Sequence, residues 1–200
     1  MPFFKSMPDN AGPATVFSTY PDIYRPWSEA SEALMNGPSP LSQGERELIL
    51  AYAAGVAGCT FVYVAHSEVA HARGIEEGLL DKLLKNIDMA PVAPKLKPLL
   101  AFVRKLMLTP GEITQEDADV VFTAGWDEHA LHDAIAVTAR AAFMQRLVQG
   151  HGFVPFSKEM AKKRAAERVE LGYVKLYPKF AKGGDARSEA DKTVQESRRR

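Results

Sequence analysis

The chain has 200 residues, 46% hydrophobic and 25% charged, with 25 basic and 25 acidic side chains and no formal net charge. Such a composition belongs to an ordinary globular chain with a sizeable core, and it excludes collagenous, low-complexity and strongly charged disordered polypeptides. The single cysteine, Cys59, excludes an intrachain disulfide and suits a reducing compartment.

Residues 1–6 lack the basic-then-apolar pattern of a secretory leader, so the expected address is the cytoplasm. Residues 48–65 form an uncharged run of eighteen, the lower edge of a membrane span. Its alanines, Gly55 and Gly58, with Glu47 and His66 at its borders, fit a buried helix pair instead, and no membrane partner is expected. Charge is uneven: residues 158–200 carry 13 Lys/Arg against 7 Asp/Glu. A solvated helix face and tail account for that excess, and a nucleic-acid partner is not expected.

Seven of the 13 prolines fall in the first 40 residues, which predicts an extended arm over 1–20 and a short helix over 27–35. Ser42 followed by Glu45 is a capping box that opens a helix running to Gly55–Gly58. A second helix spans 59–74, stopped by Gly74, and a third spans 76–86. The next covers 95–108 and ends before Pro110. Thr114 with Asp117 caps a helix to Gly125, and Asp127 caps a longer one to about 149. An amphipathic C-terminal helix begins at Ser157 and reaches about 173. Nothing in residues 1–156 reads as a strand, so the fold class is all-α. The expected organisation is an arm (1–20), a helical domain (21–156), a C-terminal helical segment (157–181) and a disordered charged tail (182–200).

The residues that carry chemistry are Glu47, Cys59 and His66. Glu47 reaches the other two only if the glycine turn folds one helix back on the next. A carboxylate brought beside an imidazole in that way orients the ring and raises its basicity, which equips it for acid–base work. Cys59 follows Gly58 at a helix start, where amide N–H groups favour a thiolate; the competing expectation is an inert buried thiol. His66 lies one turn from Val62 but two turns from Cys59.

Glu, then Cys after Gly twelve residues on, then His seven residues later, resembles the carboxymuconolactone decarboxylase and alkylhydroperoxidase D superfamily, whose pattern is Glu followed by Cys-x-x-Cys-x-x-x-His. Further likeness lies in the helix from His66 through His71 to Gly74 and in the run from Ala141 to Gly152, so the resemblance covers about residues 21–156. It implies an alkylhydroperoxidase D-like helical domain, a homo-oligomer, and a peroxidase-related, antioxidant oxidoreductase. One departure is decisive. The second cysteine is Val62, so one subunit cannot run the dithiol cycle.

The resemblance then implies a degraded one-cysteine site with weak or absent hydroperoxide reduction, in which Glu47 and His66 relay protons and an external thiol recycles Cys59. A second reading is a non-redox acid–base enzyme of the decarboxylase type. There His66 acts on a carboxylate or lactone with Glu47 orienting it and Arg146 anchoring the carboxylate. A third is a non-catalytic oligomer that binds a partner through the basic tail. Phe61 and Tyr63 are expected to line the substrate pocket. No cofactor and no metal are expected: His66 and His71 point about 140° apart on a helix, and Glu68 with His71 reads as a surface pair. His129, His132 and Asp133 read as an exposed polar face.

Overall fold

The computed structural model describes residues 1–177, so the expected tail lies outside the described residues. Among these the chain is all helical, with nine α-helices, a 3-10 turn at Pro110–Glu112 and no strand. In order the helices are α1 (Pro13–Thr19), α2 (Pro21–Asn36), α3 (Gln43–Val56), α4 (Thr60–Ala72), α5 (Leu79–Lys85), α6 (Leu96–Leu108), α7 (Gln115–Thr123), α8 (Glu128–Gly150) and α9 (Lys158–Leu171).

The proline-rich start is more helical than its composition predicts. Pro13 and Pro21 occupy first-turn positions, where the missing N–H has no intrahelical partner to lose, so they open α1 and α2 rather than break them. Residues 1–20 are therefore not wholly extended, and the helix expected over 27–35 is the second half of a longer one that tolerates Pro26. Its C-terminal carbonyls are closed by Arg46, whose Nη1 donates to the Leu34 and Gly37 carbonyl oxygens at 2.6 and 3.0 Å.

Helix α3 is the centre of the molecule. Both halves of the Ser42–Glu45 capping box form, and ten of its residues from Gly44 to Ala54 are buried. It packs on α4, α8 and α6, and α4 in turn carries α9. The reversal between α3 and α4 is made by Gly58 at φ +69°, a conformation that favours glycine, and the Cys59 N–H closes it on the Ala54 carbonyl at 2.9 Å.

Two boundaries differ from the sequence pattern for the same reason. Gly78 is left-handed and delays α5 to Leu79. Gly172, at φ +68°, ends α9 before Tyr173, which turns into the interior and is buried instead of completing the amphipathic helix.

Candidate functional site

The glycine turn lays α4 back along α3 and brings Glu47 to His66 across 19 residues of sequence. His66 Nδ1 lies 2.7 Å from Glu47 Oε2. Both side chains are almost wholly enclosed, Glu47 at 1% exposure and His66 at 4%. The other carboxylate oxygen, Oε1, accepts the phenolic hydrogen of Tyr173 at 2.6 Å. Burial by itself would raise the Glu47 carboxyl, but the charge and N–H of His66 and the Tyr173 hydroxyl outweigh it and hold Glu47 low, at about 2. Burial holds the His66 ring down at about 4 against the opposing pull of Glu47.

At neutral pH the pair is an ionised carboxylate and a neutral imidazole. A carboxylate only accepts, so Nδ1 carries the hydrogen and Nε2 is the basic nitrogen.

His66 lines a cavity of about 280 Å³ with Val62 and Phe61 of α4, Trp27, Ser28 and Ser31 of α2, and Arg140 and Met144 of α8. The first turn of α1 and the C-terminal part of the described chain also line it, the latter through Arg168, Tyr173 and Tyr177. Two guanidinium groups lie over the Tyr173 ring, Arg140 at 4.6 Å and Arg168 at 4.7 Å from its centroid. Burial pushes the Tyr173 phenol up, and the Glu47 charge pushes it further, so it stays protonated and keeps donating.

Of the residues expected at the site, Glu47, His66 and Phe61 come together at or beside this cavity, whereas Cys59, Tyr63 and Arg146 do not line it. Cys59 is the N-cap of α4, 1% exposed. Burial pushes its thiol up, and the backbone N–H groups of Val62 and Phe61 only partly offset this. The helix-start effect expected from the sequence is present but weaker than desolvation. Tyr63 instead donates to Asp81 at 2.5 Å. Arg146 is exposed on α8 and donates to the Ala142 carbonyl of its own helix.

Arg140, Arg168 and Tyr173 were not singled out by sequence reasoning. Arg140 meets Ser31 across 109 residues and Tyr173 meets Glu47 across 126, separations that no local pattern encodes.

The remaining polar clusters are separate. Glu68 is buried rather than superficial, 3.6 Å from His71. With Glu77 these residues place ligand-type atoms within 4.8 Å of one another, but Glu77 already faces Lys162 and Lys158 at 3.3 and 3.8 Å. Asp133 accepts from Ser39 at 2.5 Å and lies 3.4 Å from His129, away from the cavity.

Comparison with solved structures places this architecture. The chain is similar to the alkylhydroperoxidase AhpD core of an uncharacterized peroxidase-related protein from Ralstonia eutropha JMP134. The TM-score is 0.67 at 23% identity, over 74% of this chain and 78% of that one. It is also similar to an uncharacterized peroxidase-related protein from Silicibacter sp. TM1040, with a TM-score of 0.60 at 21% identity, over 78% of this chain and 96% of that one. No family model and no curated protein matches the sequence. The fold is alkylhydroperoxidase D-like, as the motif around Cys59 implied.

Proposed function

We propose that this alkylhydroperoxidase D-like chain is a non-redox acid–base catalyst acting on a small organic molecule, with His66 as the proton-transfer group. One observation carries the reading: the lone thiol lies sealed away from the cavity, while the Glu47-bound imidazole lines it. Of the readings the sequence offered, this favours the decarboxylase type over hydroperoxide reduction.

In this mechanism Glu47 fixes the tautomer of His66, so that Nε2 takes a proton from the substrate. The imidazolium that forms is stabilised by the carboxylate against it and returns that proton to carbon. In a decarboxylating substrate the C–C bond breaks, its electron pair stays on carbon as CO2 leaves, and the imidazole delivers to that carbon a proton drawn from water. Tyr173 holds Glu47 in place and ionised. Side chains of α1 and of the C-terminal segment narrow the cavity around His66, and their low polarisability strengthens the attraction between Glu47 and the imidazolium.

The test is solvent-deuterium exchange, followed by NMR, over a panel of carbon acids including β-keto acids and lactone acids. Exchange or decarboxylation should survive Cys59→Ser and be lost in His66→Gln, whose amide can still donate to Glu47. The redox reading retains one supporting feature, the two backbone N–H groups on the Cys59 sulfur. Hydroperoxide consumption abolished by Cys59→Ser, with no carbon-acid exchange in the parent chain, would replace the acid–base reading with it.

A further inference from the structure

The cavity is chemically lopsided. Among the described residues its lining includes three arginines, Arg140, Arg164 and Arg168, and no aspartate or glutamate. Arg164 is compensated by Glu167 at 3.0 Å. Glu47, behind His66, gives its hydrogen-bonding capacity to His66 and Tyr173 rather than to a guanidinium. With His66 neutral, two guanidinium charges face one carboxylate, and the site holds one positive charge too many.

That excess has an address. Arg140 is 6% exposed, its Nε donates to Ser31 Oγ at 3.2 Å, and its Nη1 is buried with no hydrogen-bond partner among the described residues. A buried guanidinium N–H left without an acceptor is destabilising, and an acceptor atom entering the cavity beside it would relieve that cost. Against these the wall also presents aromatic and aliphatic surface, from Phe17, Trp27, Phe61, Phe156, Val62 and Met144, with Asn10, Thr15, Ser28 and Tyr177 as its uncharged polar members. A volume of about 280 Å³ holds roughly nine non-hydrogen atoms at about 30 Å³ each.

We propose that Arg140, with Ser31 beside it and Arg168 over the same Tyr173 ring, forms a carboxylate subsite, and that the cavity takes a small planar monocarboxylate whose apolar body stacks among the aromatic side chains. The guanidinium fork suits a planar carboxylate, and a single negative charge cancels the excess. A doubly charged oxyanion would overshoot that single excess charge, and it has no flat apolar body to lie against the aromatic side chains. The proposal deepens the acid–base reading by naming its substrate class, but binding at Arg140 does not require proton transfer at His66.

The experiment is calorimetric titration of the full chain with benzoate, benzamide and inorganic phosphate. Benzoate should bind at least tenfold tighter than its neutral isostere benzamide, and phosphate more weakly than benzoate. Arg140→Lys, which keeps the charge and loses the fork, should weaken benzoate at least tenfold; Arg140→Gln should abolish its advantage over benzamide. Equal affinity for benzoate and benzamide in the parent chain overturns the subsite without recourse to any variant. So does preference for phosphate, or benzoate binding unchanged in either folded Arg140 variant.

His66→Gln separates the two claims. Benzoate binding retained in that variant, together with no carbon-acid exchange in the parent, sinks the acid–base reading and leaves the subsite. His66-dependent exchange without carboxylate selectivity does the reverse.

Discussion

Tyr173 reaches across 126 residues of sequence to donate its hydroxyl to Glu47 at 2.6 Å, so the C-terminal segment is a structural part of the site built by α3 and α4. Glu47 is thereby satisfied on both oxygens, the condition under which a buried carboxylate can stay ionised.

Tyr173→Phe tests this directly, because it keeps the ring beside Arg140 and Arg168 and removes only the hydroxyl, with its hydrogen bonds to Glu47 and Arg168. Leaving Glu47 Oε1 without that donor should destabilise the protein by about 1–3 kcal/mol in urea unfolding. The carboxylate, less satisfied, should attract the imidazolium more strongly. His66, followed by its ring resonances in NMR, should therefore titrate at higher pH than in the parent. An unchanged His66 titration in a folded variant would show that Tyr173 only packs.

Acid should weaken the fold through the same pair. The folded His66 ring titrates at about 4, below its ordinary 6.5, so between those values the unfolded chain binds a proton that the folded chain refuses. Stability therefore falls as pH drops from 6.5 towards 4. Glu47, held at about 2 against an ordinary 4.5, continues the loss below pH 4.5. The His66 contribution amounts to at most about 3–4 kcal/mol, taking about 1.4 kcal/mol per unit. Melting temperature should be level from pH 7 to 8 and decline from 6.5 downward, and His66→Gln should remove the upper part of that decline. A parent protein equally stable at pH 7 and pH 5 would contradict the burial of a neutral ring.

How much of this was legible in the sequence depends on how local each determinant is. Ser42, Gly58, Gly74, Gly125 and Asp127 act within a few residues, and the helices they bound appear close to where those residues put them. Glu47 and His66 were legible because they stand at the Glu and His positions of the alkylhydroperoxidase D-like motif, and the glycine turn between them permits the reversal that brings them together. Arg140 was not, and Arg146 was chosen instead. The two are six residues apart on α8, about 120° around a helix, so one enters the cavity and the other faces solvent. Only tertiary packing selects between those faces. Tyr173 was assigned to the amphipathic helix, although Gly172 just before it was the local mark of a chain about to turn.

Gly172 gives the next prediction. Its φ of +68° disfavours any side chain, and a Cβ there would run into the Glu32 carboxylate. That carboxylate accepts the Tyr173 backbone N–H at 2.5 Å and sets where the tyrosine enters the interior. Gly172→Ala should cost about 1–3 kcal/mol through backbone strain. Because it displaces Tyr173, it should also move the His66 titration in the same direction as Tyr173→Phe. An alanine variant with parental stability and an unshifted His66 would mean that the segment after α9 is held by other contacts.

The last prediction concerns the thiol that the site lacks. Native Cys59 should react with a thiol reagent only at the rate of global unfolding, since its sulfur is enclosed and its thiol pushed up by burial. Val62 is different: it lines the cavity one helical turn from His66. Val62→Cys should place a second sulfur three residues from Cys59 at the start of α4, inside a cavity with a base beside it. Mild oxidation of that variant should form an intrachain disulfide, seen by intact mass as the loss of two hydrogens, and Val62→Cys/His66→Gln should form it more slowly. A variant that alkylates rapidly at position 62 yet never forms the disulfide would place the two sulfurs beyond bonding geometry, and the likeness to a dithiol site would then end at the fold.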